Sequence, residues 1–230
     1  MEQLPITAPI IQAAIDVLTI DEALRIGEAC VRAGVDWLEV GTPLITFAGV
    51  QAIGALARAF PETPVLADYK MMDGVRKYVV ETAKQGGRLC TICAVASDAS
   101  IREAVRAANE SGVTLISDLY ACPDVAGRAV ELRDMGVHSV YVHWGADQRK
   151  EMPERDALRD LHGVVAHAHI PVGVGTFSVE DGVRAFQGGA SIAVVGVPLI
   201  QEADVKAAFR EYVLRAREAY AARQKVASAP

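Results

Sequence analysis

The chain has little that would hold a large partner. It carries 23 Lys and Arg against 29 Asp and Glu over 230 residues, a formal charge of −6, so it has no basic excess for nucleic acid and no polybasic patch for an anionic membrane. No apolar run approaches a membrane span, and the N-terminal MEQLPITAPI lacks the basic-then-apolar order of a secretory signal. The cytosol is the expected address. Cysteine is scarce as well. A chain of this length that is 51% hydrophobic can build a core without disulfides, so Cys30, Cys90, Cys93 and Cys122 fit a reduced compartment, and the pair Cys90 and Cys93 reads as buried core thiols. Cys90 and Cys93 form a C-x-x-C in RLCTICAV, but residues three apart on a strand face opposite sides and do not close on one metal. Low-complexity linkers are missing too, which favours one domain over residues 1–230, with only the tail from about 223 (QKVASAP) reading as frayed.

What is present is an alternation. Short β-rich runs (PIIQAAID, VDWLEVG, PVLADYK, RLCTICAV, VTLISDLY, VHSVYVHW, IPVGVG and ASIAVVG) are separated by amphipathic segments such as TIDEALRIGEACVRAG and SDASIREAVRAANESG, several closed by glycine. Eight such units in this length predict an α/β protein, a single (β/α)8 TIM barrel. A doubly wound sheet would carry a glycine-rich dinucleotide turn after its first strand, and that turn is absent. VGTPLI after the second strand is echoed by VGVPLI after the eighth, a match carrying no functional weight.

In such a barrel the loops at the C-terminal ends of the strands share one mouth. Ionisable residues fall at those ends: Asp16 after the first strand, Glu39 on the second, Asp68 and Lys70 on the third, Asp118 on the fifth and His143 on the sixth. Asp68 and Lys70 are two apart and so face one side, while Val65, Ala67 and Tyr69 face the other. Alone, that pair fits a self-satisfying ion pair as well as a site. The company of four other strand ends favours a site. His167 and His169 in HAHIP precede a strand, which places them on the opposite rim as loop residues.

The residue types define a chemistry. Glu39 and Asp68 are hard oxygen ligands suited to Mg2+, which takes one or two protein carboxylates and keeps room for water and substrate. A cation there stabilises an enediolate next to a carbonyl, with Lys70 offsetting negative charge and His143 moving a proton near neutral pH. Proton abstraction or carbon–carbon cleavage beside a carbonyl fits this set. A non-catalytic sugar- or partner-binding barrel and an isomerase are the alternatives.

AAID, EVGTPLI, ADYKMMD, VASDASI and the run from ISDLYACPD to HWGADQ together resemble the orotidine 5'-phosphate decarboxylase suprafamily, most closely its 3-hexulose-6-phosphate synthase and 3-keto-L-gulonate-6-phosphate decarboxylase branches. The likeness spans nearly the whole chain, through D-x-K-x-x-D, E-x-G-T-P-L and H-x-G-x-D. It implies Glu39 and Asp68 as Mg2+ ligands, Asp118 near the substrate, Lys70 beside the enediolate and His143 as an acid/base. It further implies Asp73 entering the site of a second subunit in a homodimer, and Asp16, Asp147, Gly175, Thr176 and Gly196 binding a sugar-phosphate-like substrate. GTPL and HWGAD lean toward the synthase, which adds formaldehyde to ribulose 5-phosphate. The resemblance departs where members grip phosphate, with Thr176-Phe177 standing in place of adjacent glycines and Val197 in place of an arginine that many relatives carry.

Overall fold

The computed structural model describes residues 2–227. Eight strands, β1 (Ile10–Ile15), β2 (Trp37–Val40), β3 (Val65–Met71), β4 (Leu89–Cys93), β5 (Thr114–Asp118), β6 (Ser139–Val142), β7 (Val172–Thr176) and β8 (Ile192–Val195), follow the eight runs read from the sequence. They pair in parallel in chain order, and β1 pairs with both β2 and β8, closing the barrel. Helices cover the outside: α1 (Ile20–Ala33), α2 (Thr42–Ala48), α3 (Gln51–Ala59), α4 (Arg76–Lys84), α5 (Asp98–Ser111), α6 (Val125–Asp134), α7 (Ala146–Glu151), α8 (Leu161–Ala168), α9 (Val179–Gln187) and α10 (Val205–Ala227).

Local chemistry sets the boundaries. The Thr19 and Ser97 hydroxyls accept the Glu22 and Ser100 amides to open α1 and α5, and Gly34 (φ 98°) and Gly112 (φ 68°) close the same helices in the left-handed region. Two expectations change. The tail read as frayed is helical as far as Ala227, with 228–230 outside the described residues; it continues α10, whose buried face (Phe209, Tyr212, Val213, Ala216 and Ala219) ends before it. His167 closes α8 as part of the helix, and His169 is its left-handed cap, both on the rim opposite the mouth.

Strand alternation divides the core in two. Outward side chains pack beneath the helices, while Ile10, Trp37, Leu66, Leu89, Ile116, Tyr141 and Ile192 fill the barrel's lower interior, closed from below by Leu4 and Ile6. One step toward the mouth the inward positions turn polar: Gln12, Glu39, Asp68, Thr91 and Asp118, all buried. Polar groups above a dry apolar plug must find partners in one another or in a ligand.

Candidate active site

The two-residue spacing on β3 brings Asp68 and Lys70 together, though not by regular alternation. Between the pairs Ala67↔Cys90 and Met71↔Ile92 the register shifts, and three β3 residues oppose the single residue Thr91. Lys70 sits at φ 49°, a left-handed conformation costing a residue with a Cβ about 1–2 kcal/mol. Its Nζ donates to Asp68 Oδ2 and to Thr42 Oγ1 (3.1 Å), and lies 4.0 Å from Asp118 Oδ2. The Thr42 hydroxyl, from the GTPL turn, is 2.7 Å from Asp68 Oδ2, and the Thr91 hydroxyl donates to Asp68 Oδ1 at 2.6 Å.

Charge neighbours set the proton affinities. Burial would drive Lys70 toward neutrality, but Asp68, Asp118 and Glu39 overcome it and hold the ammonium above its ordinary range. Burial would likewise raise Asp68, yet Lys70 and the hydroxyls of Thr91 and Thr42 keep its carboxyl below the usual value. Glu39 is pushed well above the carboxylate range by burial, then by Asp68 and Asp16, which the Lys70 charge and a hydrogen bond from Gln12 do not suffice to offset. Behind it, Gln12 Nε2 donates to Glu39 Oε2, and the Tyr141 hydroxyl donates to Gln12 Oε1 at 2.6 Å. At the rim, Asp16 is solvent-exposed, and its carboxyl is raised by partial desolvation and then by Asp68.

On the far wall, His143 Nδ1 and Asp118 Oδ2 are 2.8 Å apart, and Asp118 Oδ1 accepts the Tyr120 amide at 2.9 Å. With Asp118 ionised, Nδ1 carries the proton and Nε2 keeps a free lone pair. Desolvation alone would depress the imidazole, but Asp118 raises it above its ordinary value. Tyr120 leans on the His143 ring, centroids 5.3 Å apart.

The donors fit a hard cation. Glu39 Oε1 accepts from no protein donor among the described residues, and Asp68 Oδ1 uses one acceptor direction only. Four carboxylates (Asp16, Glu39, Asp68 and Asp118) surround the Lys70 ammonium, and their mutual repulsion adds to desolvation in raising Glu39 and Asp16. Among the described residues no group of three or more His, Cys, Asp or Glu is placed to hold a metal ion by itself.

Other expected residues stand apart. Asp73 is exposed in the turn after β3, and Asp147, its side chain 92% exposed on α7, pairs with Lys150 at 3.8 Å. Thr176 does not offer its hydroxyl to the mouth. It is an outward residue whose Oγ1 donates to Val194 O (2.8 Å) and contacts Tyr212 OH (2.6 Å) under α10. The Phe177 amide is taken by Asp181 Oδ2 at 3.1 Å. Gly175 opens onto free space. Gly196 and Gly41 share a cause that accounts for the sequence echo: both flank the end of β1, where a Cβ would lie 2.6 Å from Ala14 O and 2.1 Å from Asp16 Oδ1 respectively. The C-x-x-C divides as expected, but only Cys90 is core. Cys93 is half-buried at the mouth, its Sγ donating to Lys70 O at 3.3 Å, its thiol pushed up to about 11 by burial and then Asp118.

Residues missed by the sequence reading are Gln12, Thr42, Thr91, Cys93 and Tyr141. Gln12 and Tyr141 share strand parity with Asp16 and His143, Thr91 and Cys93 share inward parity with each other on β4, and a polar residue at an inward position of an apolar strand was the available signal. Arg149 was missed as well, its guanidinium 3.5 Å over the Phe177 ring.

Fold and mouth together define a (β/α)8-barrel enzyme with its ionisable groups gathered at the C-terminal ends of the strands. Residues 9–212 match the model of the Orotidine 5'-phosphate decarboxylase / HUMPS family, and the chain belongs to that family. It is a carbon–carbon lyase. It is 36% identical over 166 residues to the 3-hexulose-6-phosphate synthase of Staphylococcus epidermidis (72% of this chain, 79% of that protein). It is 34% identical over 210 residues to that of Mycobacterium gastri (87% and 96%). A crystal structure of 3-hexulose-6-phosphate synthase superposes with a TM-score of 0.85 at 33% identity, covering 90% of this chain and 99% of the other. The barrel is also that of 3-keto-L-gulonate-6-phosphate decarboxylase (KGPDC) from Streptococcus mutans in complex with D-R5P, with a TM-score of 0.84 at 20% identity and coverage of 92% and 99%.

Proposed function

We propose that the chain is a 3-hexulose-6-phosphate synthase-type aldolase that joins formaldehyde to ribulose 5-phosphate through an enediolate. The observation that carries this reading is the pairing of a charged Lys70, fixed beside Asp68, with a His143 whose Nε2 is free to take a proton. His143 removes a proton from C1 of the ketose, Asp118 holds its ring and stabilises the imidazolium, and Lys70 faces the developing negative charge. The enediolate carbon then attacks formaldehyde, and the resulting alkoxide takes a proton. Glu39 and Asp68 would hold Mg2+, which supplies positive charge to adjacent substrate oxygens. Asp16 meets substrate hydroxyls at the rim. Asp73 serves the site of a second copy in a homodimer, supported by the exposed Met72 and Tyr78 on either side of it in sequence. Hexulose phosphate formation with and without Mg2+ tests this, and no turnover at millimolar substrate rejects it.

The loops after β7 and β8 favour a second reading, in which the substrate's anion is held differently or is absent. In (β/α)8 barrels a phosphate is often held at those loops. Here the Thr176 hydroxyl and Phe177 amide are already engaged and Val197 brings no charge. Arg149 differs from Lys150, Arg155 and Arg159 in having no carboxylate partner among the described residues. It is the cation we assign to the anionic end of a phosphorylated substrate. Comparing ribulose 5-phosphate with ribulose separates the two readings. The chain has no helix long and apolar enough to cross a membrane among the described residues, in keeping with a small-molecule enzyme acting in the cytoplasm.

A further inference from the structure

The break in β3 leaves backbone groups without ladder partners at the residue whose ammonium sits at the centre of the site. Unpaired backbone groups at a half-buried position are costly, and β4 supplies both partners from side chains. The Lys70 N–H donates to Thr91 Oγ1 at 3.0 Å, and the Cys93 thiol donates to the Lys70 carbonyl at 3.3 Å. Thr91 and Cys93 are two apart on β4 and face the same interior. Thr91 also donates to Asp68 Oδ1, so one hydroxyl ties Lys70's backbone to Asp68's carboxylate. The Cys93 thiol forms no other hydrogen bond among the described residues. Bulges of this kind re-aim side chains next to active sites, and this one turns Lys70 back toward Asp68 and Asp118.

We infer that Thr91 and Cys93 are positioning residues for Lys70, a clamp on its amide and carbonyl that holds the left-handed turn and points the ammonium into the mouth. The inference rests on the aldolase reading for its kinetic consequence only. The test compares Cys93→Ala and Cys93→Ser, then Thr91→Val and Thr91→Ser, by kcat and KM on ribulose 5-phosphate with formaldehyde. Amide hydrogen exchange at Lys70 and the crystal structure of each variant complete it. Cys93→Ala is expected to lower kcat about tenfold with KM within twofold. Thr91→Val lowers it further and accelerates exchange of the Lys70 amide at least tenfold, and both Ser variants return to within about threefold of the parent. If both apolar variants keep kcat within twofold, or if Lys70 keeps its positive φ and slow amide exchange in them, the clamp is overturned. If the parent enzyme does not turn over these substrates, the aldolase reading falls, and Lys70's backbone conformation and amide exchange in the same variants decide the clamp by themselves. Should Thr91→Val not fold, Cys93→Ala carries the test through Lys70's φ and kcat.

Discussion

The two halves of the barrel mouth are built on opposite plans. Above β1 to β6, ionisable side chains point inward and meet one another: Lys70 touches Asp68 and Thr42, Asp118 holds His143, and Gln12 backs Glu39. Above β7 and β8 the polar groups are turned away or already engaged, Thr176 by Tyr212 and Phe177 by Asp181. Bond-making chemistry needs charges held in fixed positions, and the first half supplies them. Beside this half Arg149, on α7 after β6, stacks on Phe177 with no carboxylate partner among the described residues, and the proposed reading gives it the substrate's far end. On the proposed reading, the difference means that reaction class and substrate choice are carried by separate walls of one site.

Breaking the first wall has the largest expected effect. Lys70→Ala removes the ammonium that sits among four carboxylates and is expected to lower kcat/KM by at least about 10³, about 4 kcal/mol of transition-state stabilisation, in steady-state aldol assays. His143→Ala is expected to cost about 10² to 10⁴ in kcat, the usual reach of a general base.

Asp118→Asn sharpens the assignment through its sign. In the proposed mechanism the neutral imidazole is the working base, so the acid limb of the rate profile marks protonation of His143. Asp118 raises that group, so the limb lies above the ordinary histidine value of 6.5. Removing its charge moves the limb to lower pH as well as slowing the reaction, and a pH–kcat/KM profile reads both.

On the other wall the effects are smaller and fall on binding. Arg149→Met is expected to raise KM for ribulose 5-phosphate about 10- to 100-fold, matching the loss of a charge-assisted hydrogen bond of about 1.5–3 kcal/mol, and to leave ribulose unaffected. Phe177→Leu, which removes the platform and keeps the charge, should cost only a few-fold in the same KM. Equal loss on ribulose would break the division between the two walls.

The first wall was largely legible in the sequence and the second was not. Strand alternation and eight repeated units placed Asp16, Glu39, Asp68, Lys70, Asp118 and His143 at one mouth, because those signals depend only on period and order. The same rule also announced that Asp68 and Lys70 meet, but for a reason the chain does not use: the contact comes from a bulge and a left-handed Lys70. Nothing local in ADYKMM marks that bulge, since its partners Thr91 and Cys93 lie on the next strand. Thr176 misled because parity was not applied to it. It stands one position from the inward Gly175 and therefore faces Tyr212. Arg149 was invisible because its ring partner is 28 positions away on another loop. The strand-end carboxylates and His143 announced themselves by residue type, whereas these contacts exist only after closure of the barrel.

Proton exchange at C1 of ribulose 5-phosphate in D2O, followed by NMR in the presence of Mg2+ and the absence of formaldehyde, tests the central claim most directly. The account requires the enzyme to wash one C1 hydrogen out to deuterium, and Lys70→Ala and His143→Ala to lose that exchange. An enzyme that forms hexulose phosphate from formaldehyde with no C1 washout at any stage, or a His143→Ala variant that exchanges at the parent rate, would contradict it.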